Sequence, residues 1–480
     1  MLFSSIDFAI FLPVVFVLYW FGAGESLRRR NALLVLASYV FYGWWDWRFL
    51  ILIFLSSLAD YLVGIGLSGQ ENEKTRRLLL FASMGANLAF LGFFKYFNFF
   101  MENFARAFSF LGVGINAPHL AVILPVGISF YTFQTMSYSI DVYRKKLEAT
   151  KDFVSFAAFV SFFPQLVAGP IERAANLLPQ FRRERRFDYG SAVDGCRQML
   201  WGFFKKIVIA DSCAGYVDAI FGNYQDYGSA TLALGAALFA VQIYGDFSGY
   251  SDIAIGVAKL FGFTLSRNFA FPYFSRDVAE FWRRWHISLT TWFRDYVYIP
   301  LGGSRGGVAM SARNTLAVFL ISGLWHGAKW TFVLWGLINA LWFLPLLLLK
   351  RNRENLDVVA AGRMLPSPGE LFSIASTFCL TTFAWIFFRS ESVPDALSYI
   401  ARIFTGPFFS ASAPPLNKFA VVQAAMLAFF AAAEWLGREN RYAIERLDVG
   451  KGFRRALYYG VLGVILLFSG TPQTFIYFQF

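Results

Sequence analysis

Two histidines, His286 and His326, stand 40 positions apart in a chain of 480 residues that has only three. Each follows a tryptophan, in EFWRRWHISL and ISGLWHGAKW. An imidazole placed in apolar surroundings needs a hydrogen-bond partner or a wet cavity, since leaving it unsatisfied costs roughly 1–3 kcal/mol. It is also the side chain whose ordinary pKa suits proton transfer near neutral pH. His326 lies in an apolar run with Gly323 and Gly327 close on either side. An ionisable group in such a run is a functional candidate by default; the plainer alternative is a core histidine bonded to a neighbouring helix. Beside His286, Arg283 and Arg284 stand between Trp282 and Trp285. They read either as interfacial anchors at headgroup level or as a mouth where guanidinium groups meet a phosphate-bearing donor.

The other chemistries find little support. There is no GxSxG elbow, no serine set near a histidine in a triad-like pattern, no phosphate loop and no HExxH. The three cysteines, Cys196, Cys213 and Cys379, are scattered, so neither a disulfide framework nor a metal site is expected. His119 reads as a surface or interfacial residue. The chain therefore offers a histidine base without a nucleophile of its own.

The elements that must position these residues are apolar helices. Hydrophobic residues make up 57% of the chain and charged ones 15%, against about 25% charged in a soluble domain. Apolar runs approaching the roughly 20 residues that span a bilayer recur from end to end. They predict an all-α polytopic membrane protein of about eleven transmembrane helices, near 7–24, 31–44, 49–67, 77–97, 121–141, 196–221, 229–245, 330–349, 370–388, 417–436 and 455–470. One integral membrane unit is expected, with its core at about 121–350 and C-terminal helices at about 370–480. The first run lacks a basic start and a cleavage site, and reads as a retained helix.

The net charge of +12 is a topology signal rather than a nucleic-acid footprint, because no basic stripe appears. Arg28–Arg30, the 74–77 loop and the 144–151 loop fall on one side by alternation, which places the N-terminus outside. Between 153 and 190, Pro164, Gly169 and Pro170 interrupt an apolar run. A helix interior does not absorb that pattern, so a re-entrant or broken segment is expected there, with Glu172 and Arg173 near its turn; an ordinary loop with an amphipathic helix is the alternative. Lys205 and Lys206 must snorkel or face a polar interior. Asp246 and Asp252 flank a Gly/Ser-rich stretch and read as a capped helix start, Ser248 and Asp252 being good capping types.

Six segments in order then carry a resemblance. LPVGISFYTFQTMSYSIDVYR (124–144), FFPQLVAGPIER (162–173), YGDFSGYSDIAIG (244–256), FWRRWHISLTTWFRDYVYIPLGG (281–303), RNTLAVFLISGLWHGAKW (313–330) and FAWIFFRSES (383–392) resemble the membrane-bound O-acyltransferase (MBOAT) family. The similar branch holds the alginate O-acetyltransferase membrane subunit and the teichoic-acid D-alanyl transfer protein. The resemblance implies that His326 is the catalytic histidine, in a tunnel through the membrane, and that His286 is a second functional one. Arg283, Arg284, Trp285 and Trp325 become candidates for holding the donor.

It further implies acetyl-CoA as donor substrate with no bound cofactor, and a bacterial inner membrane location. A periplasmic SGNH or serine-esterase-like partner would supply the missing nucleophile, and an exopolysaccharide or cell-wall polymer such as alginate would be the acceptor. The chain departs from the alginate type at Gln165 and Glu172, where His and Leu are expected. Competing readings are a polysaccharide or lipid transporter or flippase, D-alanyl transfer to teichoic acid, and a silent membrane scaffold. The absence of a visible repeat and the paired Trp-His motifs speak against a transporter.

Overall fold

The computed structural model describes residues 1–114, 116, 118–120, 124–167, 169–410, 420–470 and 473–476. The expected spans at 121–141 and 417–436 begin outside the described residues, as does most of the FIYFQF tail. Among the described residues the structure is helical without strands. Among these described residues six helices are long and apolar enough to cross a membrane, and shorter apolar helices cover Ile6–Gly22, Phe153–Leu166 and Ala420–Leu436. The protein is a multi-pass membrane protein. Its contacts fall into two units, residues 1–192 with 257–266, and 193–256 with 267–480.

The first unit holds α1 (Ile6–Val17), α2 (Leu27–Gly43), α3 (Phe49–Ser68), α4 (Glu73–Leu91), α5 (Phe97–Phe110), α6 (Ile128–Tyr143), α7 (Phe153–Ser161), α8 (Phe163–Leu166) and α9 (Ala174–Phe181). A five-residue π turn, Gly92–Tyr96, joins α4 to α5 into one 38-residue helix. At the centre is α6, buried from Ile128 through Val142. The interrupted run 153–190 is indeed broken. Phe162 (φ −50°, ψ 105°) separates α7 from α8, and an irregular stretch follows before α9. Backbone groups freed by a break must be satisfied within the protein at membrane depth. Gln134 Nε2 donates to the Phe159 carbonyl at 2.6 Å, and the Phe163 N–H donates to Ser38 Oγ at 3.0 Å. Glu172 accepts from the backbone N–H and hydroxyl of Ser266, so this departure from the alginate-type pattern has a structural partner. His119 is exposed.

The second unit takes most of α10 (Tyr189–Phe203), then α11 (Asp211–Gly222), most of α12 (Ser229–Leu260), α13 (Val278–Arg284), α14 (Ile287–Phe293), α15 (Gly307–His326), α16 (Trp330–Leu348), α17 (Pro368–Arg389), α18 (Val393–Thr405), α19 (Ala420–Leu436) and α20 (Lys451–Phe468). One expectation is corrected here. Asp246, Ser248 and Asp252 do not cap a helix start; they lie inside α12, which runs unbroken for 32 residues. The two aspartates answer the two lysines instead. A π turn, Phe204–Ala210, carries Lys205 and Lys206 into the interior. Lys205 pairs with Asp252 at 2.6 Å; Lys206 pairs with Asp211 at 2.7 Å and Asp246 at 2.8 Å. Removing one member would strand a buried charge, at a cost of about 3–5 kcal/mol.

Candidate active site

His326 is the last residue of α15, and its position is fixed by backbone-to-backbone packing. α15 and α16 form an antiparallel hairpin in which glycines face the opposite main chain. A Cβ at Gly323 would collide with the Phe332 carbonyl, and one at Gly336 with the Phe319 carbonyl. With no side chain at these two positions, the helices close and seat the imidazole among aromatic rings. It meets Trp325 at 4.9 Å, Trp335 at 5.1 Å and Phe388 of α17 at 5.5 Å between ring centroids, each edge to face. Such contacts each add about 0.5–1.5 kcal/mol beyond burial. His326 is 3% exposed.

His286 is placed differently. It occupies the break between α13 and α14 in left-handed backbone, φ 43° and ψ 53°. A non-glycine residue pays about 1 kcal/mol or more to sit there, and such strain persists only when the surroundings over-determine it. Asn268 does this. Its backbone carbonyl accepts from the Ile287 N–H at 2.9 Å. Its side-chain oxygen lies 3.1 Å from His286 Nδ1 and accepts from the Ser288 hydroxyl at 2.9 Å. Phe247 packs edge-on against the ring at 4.6 Å.

The two imidazoles, 40 residues apart in sequence, come together with centroids 6.4 Å apart. Trp325 lies against both, 6.1 Å from the His286 ring. Near them opens a cleft of about 540 Å³, which neither imidazole nor Trp325 lines; Ile287, next to His286 in the chain, does. Trp282, Phe319 and Phe343 line its apolar wall, and Arg283, Arg294 and Arg353 supply positive charge. Ser322, one helical turn before His326, lines it too.

Of the residues singled out in sequence, Arg283 lines this cleft while donating to the carbonyls of Asn352 (2.7 Å) and Asn355 (2.6 Å). Arg284 is not among the lining residues. It pairs with Glu280 at 2.8 Å and bonds the Asp357 carbonyl at 2.7 Å. Trp285 is buried in an aromatic stack with Phe281 (5.5 Å) and packs on Trp385 (5.0 Å), also away from the cleft lining. Sequence reading passed over Asn268, Arg294, Arg353 and Ser322. Arg294 stands in the WFRDY stretch and Arg353 in the KRNR run, so charge marked both; Asn268 had no signal beyond being an amide in LSRNFAF. Among the described residues no group of three or more His, Cys, Asp or Glu side chains gathers as for a metal.

Two buried imidazoles beside an apolar, arginine-bearing cleft suit the transfer of a group between a carrier and an acceptor in a water-poor site. Residues 144–379 match the membrane-bound O-acyltransferase family. Relatives more than a third identical over most of their length agree, and the chain belongs to this family: it is a membrane-embedded acyltransferase. Among those relatives is the probable alginate O-acetylase AlgI of Pseudomonas aeruginosa, 41% identical over 84% of this chain and 75% of that protein. The Pseudomonas syringae pv. tomato protein of the same description is 37% identical over 95% and 85%. The peptidoglycan O-acetyltransferase of Helicobacter pylori is 34% identical over 81% and 77%.

Proposed function

We propose that this protein moves an acetyl group from acetyl-CoA in the cytoplasm across the bacterial inner membrane, for O-acetylation of an exopolysaccharide or cell-wall polymer such as alginate. The observation that carries the reading is the pair of imidazoles 6.4 Å apart beside the arginine-bearing cleft. Arg283, Arg294 and Arg353 would meet the donor's phosphates, and the apolar wall its pantetheine arm. His326 takes the proton of the attacking hydroxyl as the new C–O bond forms; the thioester C–S bond breaks, and the proton finishes on sulfur. His286 relays that proton or orients the thioester. Arg284, Trp285 and Trp325 act behind this layer, by holding the backbone and rings in place.

The sequence carries no nucleophile elbow and no triad-like serine, which favours a periplasmic SGNH-type partner that receives the acetyl group and passes it to the polymer. The basic loops at 28–30, 74–77 and 144–151 favour a cytoplasmic donor side and a periplasmic N-terminus. The relatives favour either alginate-like exopolysaccharide or peptidoglycan as final acceptor.

The test is the acetyl-ester content of surface polysaccharide and peptidoglycan in a deletion strain carrying wild-type or His326→Ala protein, with membrane levels measured in parallel. The reading stands if the variant accumulates normally and exports polymer without esters. It fails if esters persist. Loss of polymer export itself would favour a transporter.

A further inference from the structure

The surroundings of His286 determine more than its place. Asn268 Oδ1 accepts hydrogen bonds from two groups of Ser288, the hydroxyl at 2.9 Å and the main-chain N–H at 3.4 Å. A backbone N–H can only donate, so the amide atom facing it is the oxygen. The other end of the amide agrees: Asn268 Nδ2 lies 3.1 Å from Ser251 Oγ on α12. The atom 3.1 Å from His286 Nδ1 is therefore a pure acceptor. An acceptor is satisfied there only if Nδ1 carries the proton, and the second nitrogen of a neutral imidazole then holds the lone pair. His286 Nε2 has no hydrogen-bond partner among the described residues and is buried.

We propose that Asn268 is a positioning residue which, braced by Ser251 and Ser288, fixes His286 as the Nδ1–H tautomer and makes Nε2 its proton-accepting atom. Free imidazole side chains favour the opposite tautomer, so the protein selects this one. The main chain of the same residue holds the strained turn: the Asn268 backbone carbonyl takes the Ile287 N–H at 2.9 Å. The side-chain amide thus sets ring orientation and proton location, while the main chain of the same residue holds the turn.

Only three histidines occur in the chain, so 15N labelling at histidine reads each ring directly in the reconstituted full-length protein. His286→Gln and His326→Gln variants assign the signals. The expected wild-type spectrum gives His286 a protonated, pyrrole-type Nδ1 and a pyridine-type Nε2. Asn268→Ala should move the proton toward Nε2 and lower kcat by about 10- to 100-fold, the usual cost of losing a partner that orients a working imidazole, with KM for acetyl-CoA little changed. Asn268→Asp keeps the acceptor and should retain the Nδ1–H form and recover activity to within a few-fold of wild type.

A wild-type His286 protonated on Nε2 overturns the proposal outright. So does an Asn268→Asp variant that folds as wild type yet is as impaired as Asn268→Ala. The kinetic arm rests on the acetyl-CoA reading above, whereas the spectra decide the tautomer whichever donor the enzyme uses, so the two readings fail separately.

Discussion

The two histidines are held by opposite means. His326 ends a regular 20-residue helix: glycines let α15 and α16 touch, and aromatic rings from two further positions pack against the imidazole. His286 sits where the helix is interrupted, in left-handed backbone, kept there by a polar cluster of Asn268, Ser288 and Ser251. The first arrangement fixes a ring by shape, through close helix packing and aromatic edges. The second assigns hydrogen-bonding roles atom by atom, and suits a group that must hand a proton over in a defined direction.

The contrast makes an ordered set of expectations. His326→Ala should lower acyl transfer by about 100-fold or more, the scale of a lost general base, with normal abundance in membranes; ester content per unit of protein is the measurement. His286→Gln should cost less, roughly 10- to 100-fold. If the two losses are equal and the double variant is no worse than either, the imidazoles act as one unit and the division of roles collapses.

Gly336→Val tests the packing side alone. Its side chain would meet the Phe319 carbonyl, and a destabilisation of about 1–3 kcal/mol is expected for such overpacking. It should appear as a lower thermal midpoint in detergent, with activity lost in proportion to folded protein. The smallest effect belongs to the segment between α16 and α17, where Asp357 pairs at 2.8 Å with Arg276, which precedes α13. The Arg276 guanidinium holds the Asp357 carboxyl below its usual range. A carboxyl whose folded pKa is depressed adds stability above its unfolded value of about 4, and that stability is lost as pH falls through the lowered value. Asp357→Asn should therefore leave the midpoint nearly unchanged at pH 7, since the carboxylate is largely exposed, and any difference should vanish in acid.

Much of this molecule was legible in its sequence, for physical reasons. Apolar length is a local property, so runs such as 49–67 and 370–388 coincide with α3 and α17. The Pro-x-x-x-x-Gly-Pro pattern disclosed the break after α7 because proline forbids the helix locally. The Trp-His pairs drew attention to residues that do meet. What stayed hidden was long-range pairing. Asp246 and Asp252 looked like caps because their partners, Lys206 and Lys205, lie some forty residues earlier. Asn268 was invisible because its role depends on a left-handed turn 18 residues later, which no propensity of Trp285-His286-Ile287 announces. Arg283 and Arg284, adjacent in sequence, part company for a helical reason: neighbours on a helix face about 100° apart, so one lines the cleft and the other pairs with Glu280.

The unbroken α12 carries a further consequence. At 1.5 Å per residue its 32 residues extend to about 48 Å, well beyond a hydrocarbon thickness of about 30 Å, and ordinary tilts absorb only part of the excess. The helix that carries Asp246, Ser251 and Asp252 is thus long enough to run from the buried ion pairs out past the hydrocarbon layer.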